Sequence, residues 1–500
     1  MPVSLAGSHR LDRVRRHRLS QAVSAVVPQV AALAGVFDYG CGRGNDIAIL
    51  EAAGIKVSGW DPHFRPDVEL VRADVVNLGY VLNVIEGKEE REHTLRRAFE
   101  LANQLFVVAV LTPHVTGNSE YQEYADGLIT SRGTFQKYYR QEDAKALIED
   151  TLGEEVLAIG PGMFFVFADK IEEQRFLENR RRKKRDIGHL LALKPPAPGA
   201  KTWTEWTTFD RNREPLSQLW ERMLELGRLP AHDELSPEIS TWVEREPGSV
   251  RRAAQLAQVG FDPGEFNNAR TSRIDDLNVY FALNLFNRRQ PYTQLPRELQ
   301  RDVTVFFSTY RAAQESGRDL LFSVGDPKLI HQECVESAQS GIGFLDGTHS
   351  LQVHSELVEQ LPPNLRTYVG CAEKLYGDIE QANLVKIHIG SGKVTFLEYE
   401  GFDKTPLPRL STRVKVNLRE QSVDYFHHGN DPDPSLLYLK SQYMDAGQPG
   451  YEKQKRFDQR LERLGLFDFR GFGPQPSHFF AKLDSAGLHQ RGWSITRARI

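Results

Sequence analysis

The hydrophobic pattern changes period several times along the chain. A short apolar run, Val36-Phe-Asp-Tyr39, ends in glycines, and a helical pattern follows from Asn45 toward Leu50. Ile55 to Trp60 reads as a second strand, and Ala73 to Glu86 as a strand running into a helix. Glu89 to Ala102 is amphipathic at helix spacing, while Leu105 to Leu111 is too uniformly apolar for a solvent-facing edge. Gln141 to Leu152 is a predicted helix, and Glu155–Ile159 with Met163–Ala168 a hairpin across Gly160-Pro-Gly162. Strand and helix alternate, which predicts an α/β domain with a parallel sheet over residues 31–170. Asp61 and Asp74 lie too close for a crossover helix plus a further strand, so one βα unit is expected to be abbreviated.

The pattern differs after the Pro-rich stretch Lys194–Gly199, the clearest boundary in the chain. Residues 202–340 read as a helical domain, with apolar positions at helix spacing in Leu216–Leu226, Val250–Val259, Asp275–Phe286 and Leu299–Glu315. Residues 341–500 read as a small α+β domain. Phe344–Val358 fits neither period, and from about Tyr368 to Leu418 the period is that of strands. Leu384–Tyr399 is a predicted hairpin turning at Gly390-Ser-Gly392. Alternation there puts Lys386, His388, Lys393, Arg413 and Lys415 on one sheet face, which suits a nucleic-acid backbone or plain solvent. The tail reads as a helix over Phe457–Leu464, a turn at Gly471–Pro474 and a helix around Ser477–Ala486.

Five hundred residues exceed a single core, so two or three domains are expected. With 40% hydrophobic and 26% charged residues, the composition is that of an ordinary globular protein. No apolar run is long enough to cross a membrane, and the first residues lack the apolar core of a secretory signal. The three cysteines, at 41, 334 and 371, form no C-x-x-C pair and supply no zinc site unaided. These features predict a reduced, cytoplasmic protein with no membrane partner. A net charge of −4 argues against global attraction to nucleic acid, but leaves local patches open. Two patches qualify: Arg10, Arg13, Arg15, Arg16 and Arg18 in an N-terminal arm (1–30), and the basic run Arg180–Arg185 in the linker (171–201). His427, His428, Asp431 and Asp433 crowd one turn and read as a surface loop, so no metal is expected.

The chemistry concentrates in Phe37-Asp-Tyr-Gly-Cys-Gly-Arg-Gly-Asn-Asp46 and Gly59-Trp-Asp-Pro62. A strand, a glycine turn and a helix start bring backbone amides close to a ligand, and an acid ending the second strand can accept from both ribose hydroxyls. A nucleoside-type cofactor is implied. Glycines at 40, 42 and 44 depart from the G-x-G-x-x-G spacing of dinucleotide sites. Asp38 would repel a pyrophosphate but hold an amino group.

This pattern resembles the motifs of class I S-adenosyl-L-methionine (SAM) methyltransferases, and the resemblance implies a Rossmann-like domain. It implies that Asp38, Gly40, Cys41, Gly42, Gly44, Asp61, Leu78 and Gly79 hold SAM, with the glycine loop on the methionine part and Asp61 on the ribose. It also places Asn77 and Tyr80 at the transferred methyl group. Asn77-Leu-Gly-Tyr80 is similar to the Asn-Pro-Pro-Tyr motif of amino-methylating DNA enzymes, where the Tyr stacks on a flipped base. Here the prolines are missing and Asn77 comes early, so the same residues also fit simple packing. In Asp126–Tyr139, Arg132 and Lys137 are candidate phosphate contacts and Phe135, Tyr138 or Tyr139 candidate stacking residues; a loop whose aromatics cap the core is the alternative.

Over residues 36–168, and in Leu320–Asp326, Val385–His388, Arg413–Leu418 and Tyr438–Ser441, the chain resembles the DNA-phosphorothioation-associated methyltransferase family. That resemblance implies bacterial DNA modification and defence, DNA as substrate, and protein partners from such a system. RNA or a small molecule as substrate stays open, as does a non-catalytic SAM-binding role in which the C-terminal half docks a partner.

Overall fold

The protein is described from a computed structural model, in which residues 35–112, 122–130, 133–183, 203–377, 382–428, 431–469, 471 and 473–497 are defined. They form two compact units, one comprising residues up to 173 and from 323 onward, the other residues 174–322.

The first unit begins with β1 (Val36–Tyr39), α1 (Asn45–Ala52), β2 (Val57–Trp60), β3 (Ala73–Gly79), α2 (Lys88–Phe99) and β4 (Ala102–Ala109). A small three-stranded sheet follows: β5 (Gln122–Tyr124), β6 (Gly127–Ile129) and β7 (Phe135–Gln136). Next come α3 (Gln141–Leu152), β8 (Leu157–Gly160) and β9 (Met163–Phe167). The main sheet has the order β2-β1-β3-β4-β9-β8, parallel through β4, with β9 antiparallel to both neighbours. The chain therefore goes outward from β1 to β2, then returns to the other side of β1. That reversal opens a crevice beyond the carboxyl ends of β1 and β3, where ligands of open α/β sheets bind. Residues 61–72 contain neither helix nor strand, so the β2–β3 connection is abbreviated as the spacing predicts.

Apolar residues on both faces of β3 and β4 explain the central position of these strands. Val75, Val76, Leu78, Phe106, Val107 and Val108 are all fully buried. One face packs on Leu95 and Ala98 of α2 and on Ala144 and Ile148 of α3.

The C-terminal part of this unit comprises α12 (Pro327–Gln339), β10 (Phe344–Asp346), β11 (Ser350–His354), α13 (Pro363–Tyr376), β12 (Leu384–His388), β13 (Lys393–Glu400), β14 (Arg409–Asn417) and β15 (Ser422–His427). The six strands form an antiparallel meander in chain order. Phe344–Val358, indeterminate by periodicity, supplies the first two strands. The strand reading from Tyr368 is corrected: Tyr368, Val369, Ala372 and Tyr376 share a helix face packed on Val385, Val394 and Phe396. The tail folds as α14 (Tyr451–Arg463), α15 (Pro476–Ser485) and an unanticipated hairpin, β16 (Leu488–Arg491) with β17 (Ser494–Arg497).

Gln141 joins the two parts. Buried at the start of α3, its amide nitrogen donates to the carbonyls of Gly160 (3.0 Å) and Tyr376 (3.3 Å), and its oxygen accepts from the Gly162 amide (2.7 Å). Gly377 lies against Gly160, so a Cβ there would stand 2.7 Å from the Gly160 nitrogen.

The second unit is helical: α4 (Lys170–Asn179) leads into it, followed by α5 (Trp203–Arg211), α6 (Arg213–Leu226), α7 (Pro237–Arg245), α8 (Val250–Ala257), α9 (Pro263–Asn284), α10 (Arg297–Asp302) and α11 (Tyr310–Ser323). The single helix expected over Leu299–Glu315 is broken. Val303–Phe307 forms a π-type turn of β-branched and aromatic residues, and Ser308 adopts φ 66°, which no continuing helix accommodates. Its interior holds Asp302, accepting from Arg228 Nε (2.6 Å) and from Arg273 Nε (3.1 Å) and Nη2 (2.6 Å). Arg228 also grips Glu234, and Arg273 grips Glu178.

Candidate functional site

The crevice between β1 and β3 is walled by the glycine loop, the turn after β2 and the end of β3. Gly40 and Gly44 have φ 84° and 81°, a left-handed backbone open to glycine at little cost. A Cβ on Gly40 would stand 2.4 Å from Val81 Cγ2, and one on Gly44 would meet the Arg65 guanidinium at 2.8 Å. The loop therefore lies flat against its surroundings. The Gly40 and Cys41 amides donate to the Trp60 carbonyl (2.7 and 3.1 Å), which ties the loop to β2.

Asp61 organises this corner. Its Oδ2 accepts from the Gly42 amide (2.9 Å), and its Oδ1 from the His63 and Phe64 amides (2.9 Å each). These backbone donors outweigh the effect of partial burial and hold its carboxyl below the ordinary range. Asp61 thus locks the glycine loop to the turn after β2, with one lone pair of Oδ2 left over.

Asp38, near the end of β1, is buried beside Asn77, its register partner on β3. Asn77 Nδ2 donates to Asp38 Oδ1 at 2.7 Å, while Asn77 Oδ1 is buried without a partner. Burial pushes the Asp38 carboxyl up to about 6; the Asn77 bond opposes this, and the charges of Asp46 and Asp61 reinforce it. The charges that act on Asp38 are thus both acidic, a local field that disfavours a further anion there and favours a cationic group.

Tyr80 ends the wall. It sits at φ 62° just beyond β3, its amide donating to the Ala109 carbonyl at 2.7 Å. A tyrosine held in the left-handed region stores roughly 1–2 kcal/mol. Its hydroxyl is pushed up by burial and by Asp46, which places the ring on the acidic side of the crevice.

Other predicted residues sit differently. Leu78 has its side chain in the core, so only its backbone, and that of Gly79, is at the strand end. Burial, and then Asp38, raises the Cys41 thiol to about 11, which leaves it a poor nucleophile. Phe135 is corrected as a stacking residue: it is buried, its ring edge-on to Tyr124 at 6.5 Å and packed over Gly127. Lys137, a candidate phosphate contact, bonds Asp126 Oδ2 (2.8 Å) and the Asp126 carbonyl (3.0 Å) through its ammonium. Arg132 lies outside the described residues, as do the N-terminal arm and residues 184–185 of the basic run. Within that run, Arg182 is tied to Glu298 (3.3 Å) and the Glu225 carbonyl (2.9 Å).

Sequence reasoning missed several contributors. Arg65 covers the N-terminus of α1, and Arg43 lies 5.3 Å over the exposed ring of Phe64. Asn83 is fully buried and links three segments at the sheet's end through the Lys137 and Leu111 backbones. Arg91, also buried, bonds Asp126 (2.8 Å), Tyr139 Oη (3.2 Å) and the Glu86 carbonyl (3.0 Å). These positions carry no local motif, since their partners are remote in sequence. Arg91, Asp126 and Lys137 line a polar cleft of about 370 Å³ between α2 and α3, which no glycine-loop residue enters. Asp433 caps α15 through the Ser477 amide (2.9 Å) and hydroxyl (2.7 Å), and among the described residues no cluster has the makings of a metal site. No described helix is long and apolar enough to cross a membrane.

No family model and no curated protein matches the chain. Among solved structures it is similar to the sugar N-methyltransferase KedS8 from Streptoalloteichus sp. ATCC 53650, with 13% identity over 32% of this chain and 87% of that one, at a TM-score of 0.23. It is likewise similar to SAM-bound CalS10, an amino pentose methyltransferase from Micromonospora echinaspora, with 14% identity, 33% and 92% coverage and a TM-score of 0.21. The CcbJ methyltransferase from Streptomyces caelestis gives 17% identity, 29% and 87% coverage and a TM-score of 0.23.

Proposed function

We propose that the protein is a SAM-dependent methyltransferase of the class I, Rossmann-like type acting on nucleic acid, with DNA the preferred substrate. The observation that carries the cofactor reading is the acid-lined glycine crevice with an orphaned acceptor. Asp38 and the unpartnered Asn77 Oδ1 are buried side by side where an ammonium group would supply the missing donors. Gly40, Gly42 and Gly44 give a flat cradle for the methionine part, and Asp61 keeps acceptor capacity for a ribose. The doubly cationic sulfonium and ammonium of SAM suit this field, whereas a pyrophosphate does not.

SAM would supply a methyl group already activated by its sulfonium, so the protein's task is alignment and exclusion of water. In this reading Tyr80, held in a strained backbone at the end of β3, lines the reaction centre. Asn77 acts on the cofactor side, positioning Asp38. Nucleic acid as substrate rests on the resemblance to DNA-modification proteins and on basic clusters in the sequence. An RNA or a small molecule is the rival acceptor.

Isothermal titration with SAM and its demethylated product, on wild type and Asp61→Ala, tests the cofactor. Micromolar binding lost in the variant is expected, since the three hydrogen bonds by which Asp61 holds the Gly42 amide and the turn after β2 vanish together. Absence of binding to wild type would sink the reading. Transfer of a tritiated methyl group to DNA, RNA or a small molecule then separates the substrates.

A further inference from the structure

The meander β10–β15 has two unlike faces. One packs on α12 and α13 through Val353, Val385, Ile387, Val394, Phe396 and Val414. On the other, direct register partners bring polar residues of four strands together. Ser350 faces His388, which faces Lys393; one step along, Lys386 faces Thr395, which faces Lys415. Lys386 and Lys415 therefore flank Thr395, about 10 Å apart at two strand spacings. Arg413, two residues from Lys415, shares this face, its guanidinium 4.3 Å over the exposed ring of Phe426 on β15.

Like charges brought together across strands destabilise a sheet unless something neutralises them. Asp346 stands 3.7 Å from Lys386 and Asp424 is the register partner of Lys415 on β15, but among the described residues no ion pair engages Lys393, Lys415 or Arg413, and the four cations of this face outnumber its two acids. The patch is also short of acceptors. The Ser350 hydroxyl and Arg413 Nε are both buried with no hydrogen-bond partner. His388, bonded to Thr395 Oγ1 at 2.9 Å, is pushed down to about 4 by burial and then by Lys386, Lys415 and Lys393, so it adds no charge at neutral pH. Surplus cations and surplus donors on a half-buried face call for an anion with many oxygens.

We propose that this face of the C-terminal sheet binds the phosphodiester backbone of a nucleic acid, with Lys393 and Lys415 as phosphate contacts and Arg413–Phe426 as a stacking edge. The combination of basic residues with an exposed aromatic on a sheet is the physics of sequence-tolerant strand binding. The inference deepens the nucleic-acid reading above and rests on it for the link to methyl transfer, although the binding surface stands on its own geometry.

The test is fluorescence anisotropy of labelled single-stranded DNA, duplex DNA and RNA with the full chain across a salt series. It compares wild type with Lys393→Gln/Lys415→Gln, and with Lys328→Gln/Lys404→Gln, which removes two exposed lysines elsewhere in the same unit. The patch pair is expected to weaken binding about tenfold or more, and to lower the salt slope by about 1.4 on a single strand or about 1.8 on a duplex. The control pair should change affinity less than twofold. Equal behaviour of the two pairs overturns the proposal, as does a wild type that binds no nucleic acid at low salt or prefers anionic lipid vesicles. Circular dichroism confirms folding, and Lys393→Arg/Lys415→Arg should restore binding. SAM titration on the same variants keeps the questions apart: the patch pair should bind SAM as wild type does. A wild type that binds nucleic acid but not SAM would defeat only the methyltransferase reading.

Discussion

Asp38→Asn separates what the fold wants at the crevice from what a ligand wants. Burial raises the Asp38 carboxyl from its ordinary 3.8 to about 6, so the folded protein favours the neutral form. For an acid displaced upward, the stabilisation is complete below the unfolded pKa and is lost as pH rises through the folded one. At about 1.4 kcal/mol per pH unit, the ionised carboxylate costs the fold about 3 kcal/mol near neutrality. Exposure of only 7% leaves little solvent screening to reduce this. An asparagine matches the shape of the neutral acid and keeps an oxygen for the 2.7 Å bond from Asn77. Urea denaturation of the first unit should therefore show Asp38→Asn more stable than wild type by about 3 kcal/mol at neutral pH, the difference shrinking toward pH 4. Calorimetry should show the reverse for the cofactor. Wild-type affinity for SAM should rise roughly tenfold per pH unit up to about 6 and then level, because the cation needs the ionised acid. The variant should bind weakly with no such dependence in that window. Parallel stability curves for the two proteins, or undiminished SAM binding by Asp38→Asn at neutral pH, would refute the reasoning.

Three further outcomes are expected. Gly40→Ala should lower SAM affinity at least tenfold by calorimetry, because its Cβ meets Val81 at 2.4 Å in a left-handed backbone; Val81→Ala should relieve the clash but not the roughly 1–2 kcal/mol of backbone cost. Tyr80→Gly should leave the melting temperature unchanged or raised while lowering methyl transfer at least tenfold; a clear fall in melting temperature would show that the ring serves packing instead. Asp302→Ala should destabilise the helical unit by about 3–5 kcal/mol in chemical denaturation, since it leaves Arg228 and Arg273 buried beside a missing partner.

Local information sufficed wherever a residue's role depends on its chain neighbours. Alternating periods marked β1, α1, β2, β3 and β4, and the short spacing from Asp61 to Asp74 foretold the missing βα unit. Three glycines at alternate positions between a strand and a helix announced a tight turn, and all three adopt positive φ. The alternation in Val385–His388 and Arg413–Leu418 placed the basic residues on one sheet face, because side chains of a strand repeat every second position. Tertiary structure decided the rest. Asp61 turned out to staple the glycine loop through the Gly42 amide, nineteen residues away, and Asn77 to face Asp38 across strands instead of standing free. Phe135 had the right chemistry for stacking but is buried, and the Lys137 ammonium is engaged by Asp126. The helix at Pro363–Tyr376 looked like strand because its apolar residues are dense enough to satisfy either period, and packing on the meander settled which. Charge balance and burial are sums over partners distant in sequence, which is why the field at Asp38 and the surplus of cations around Thr395 emerge only when the strands are laid side by side.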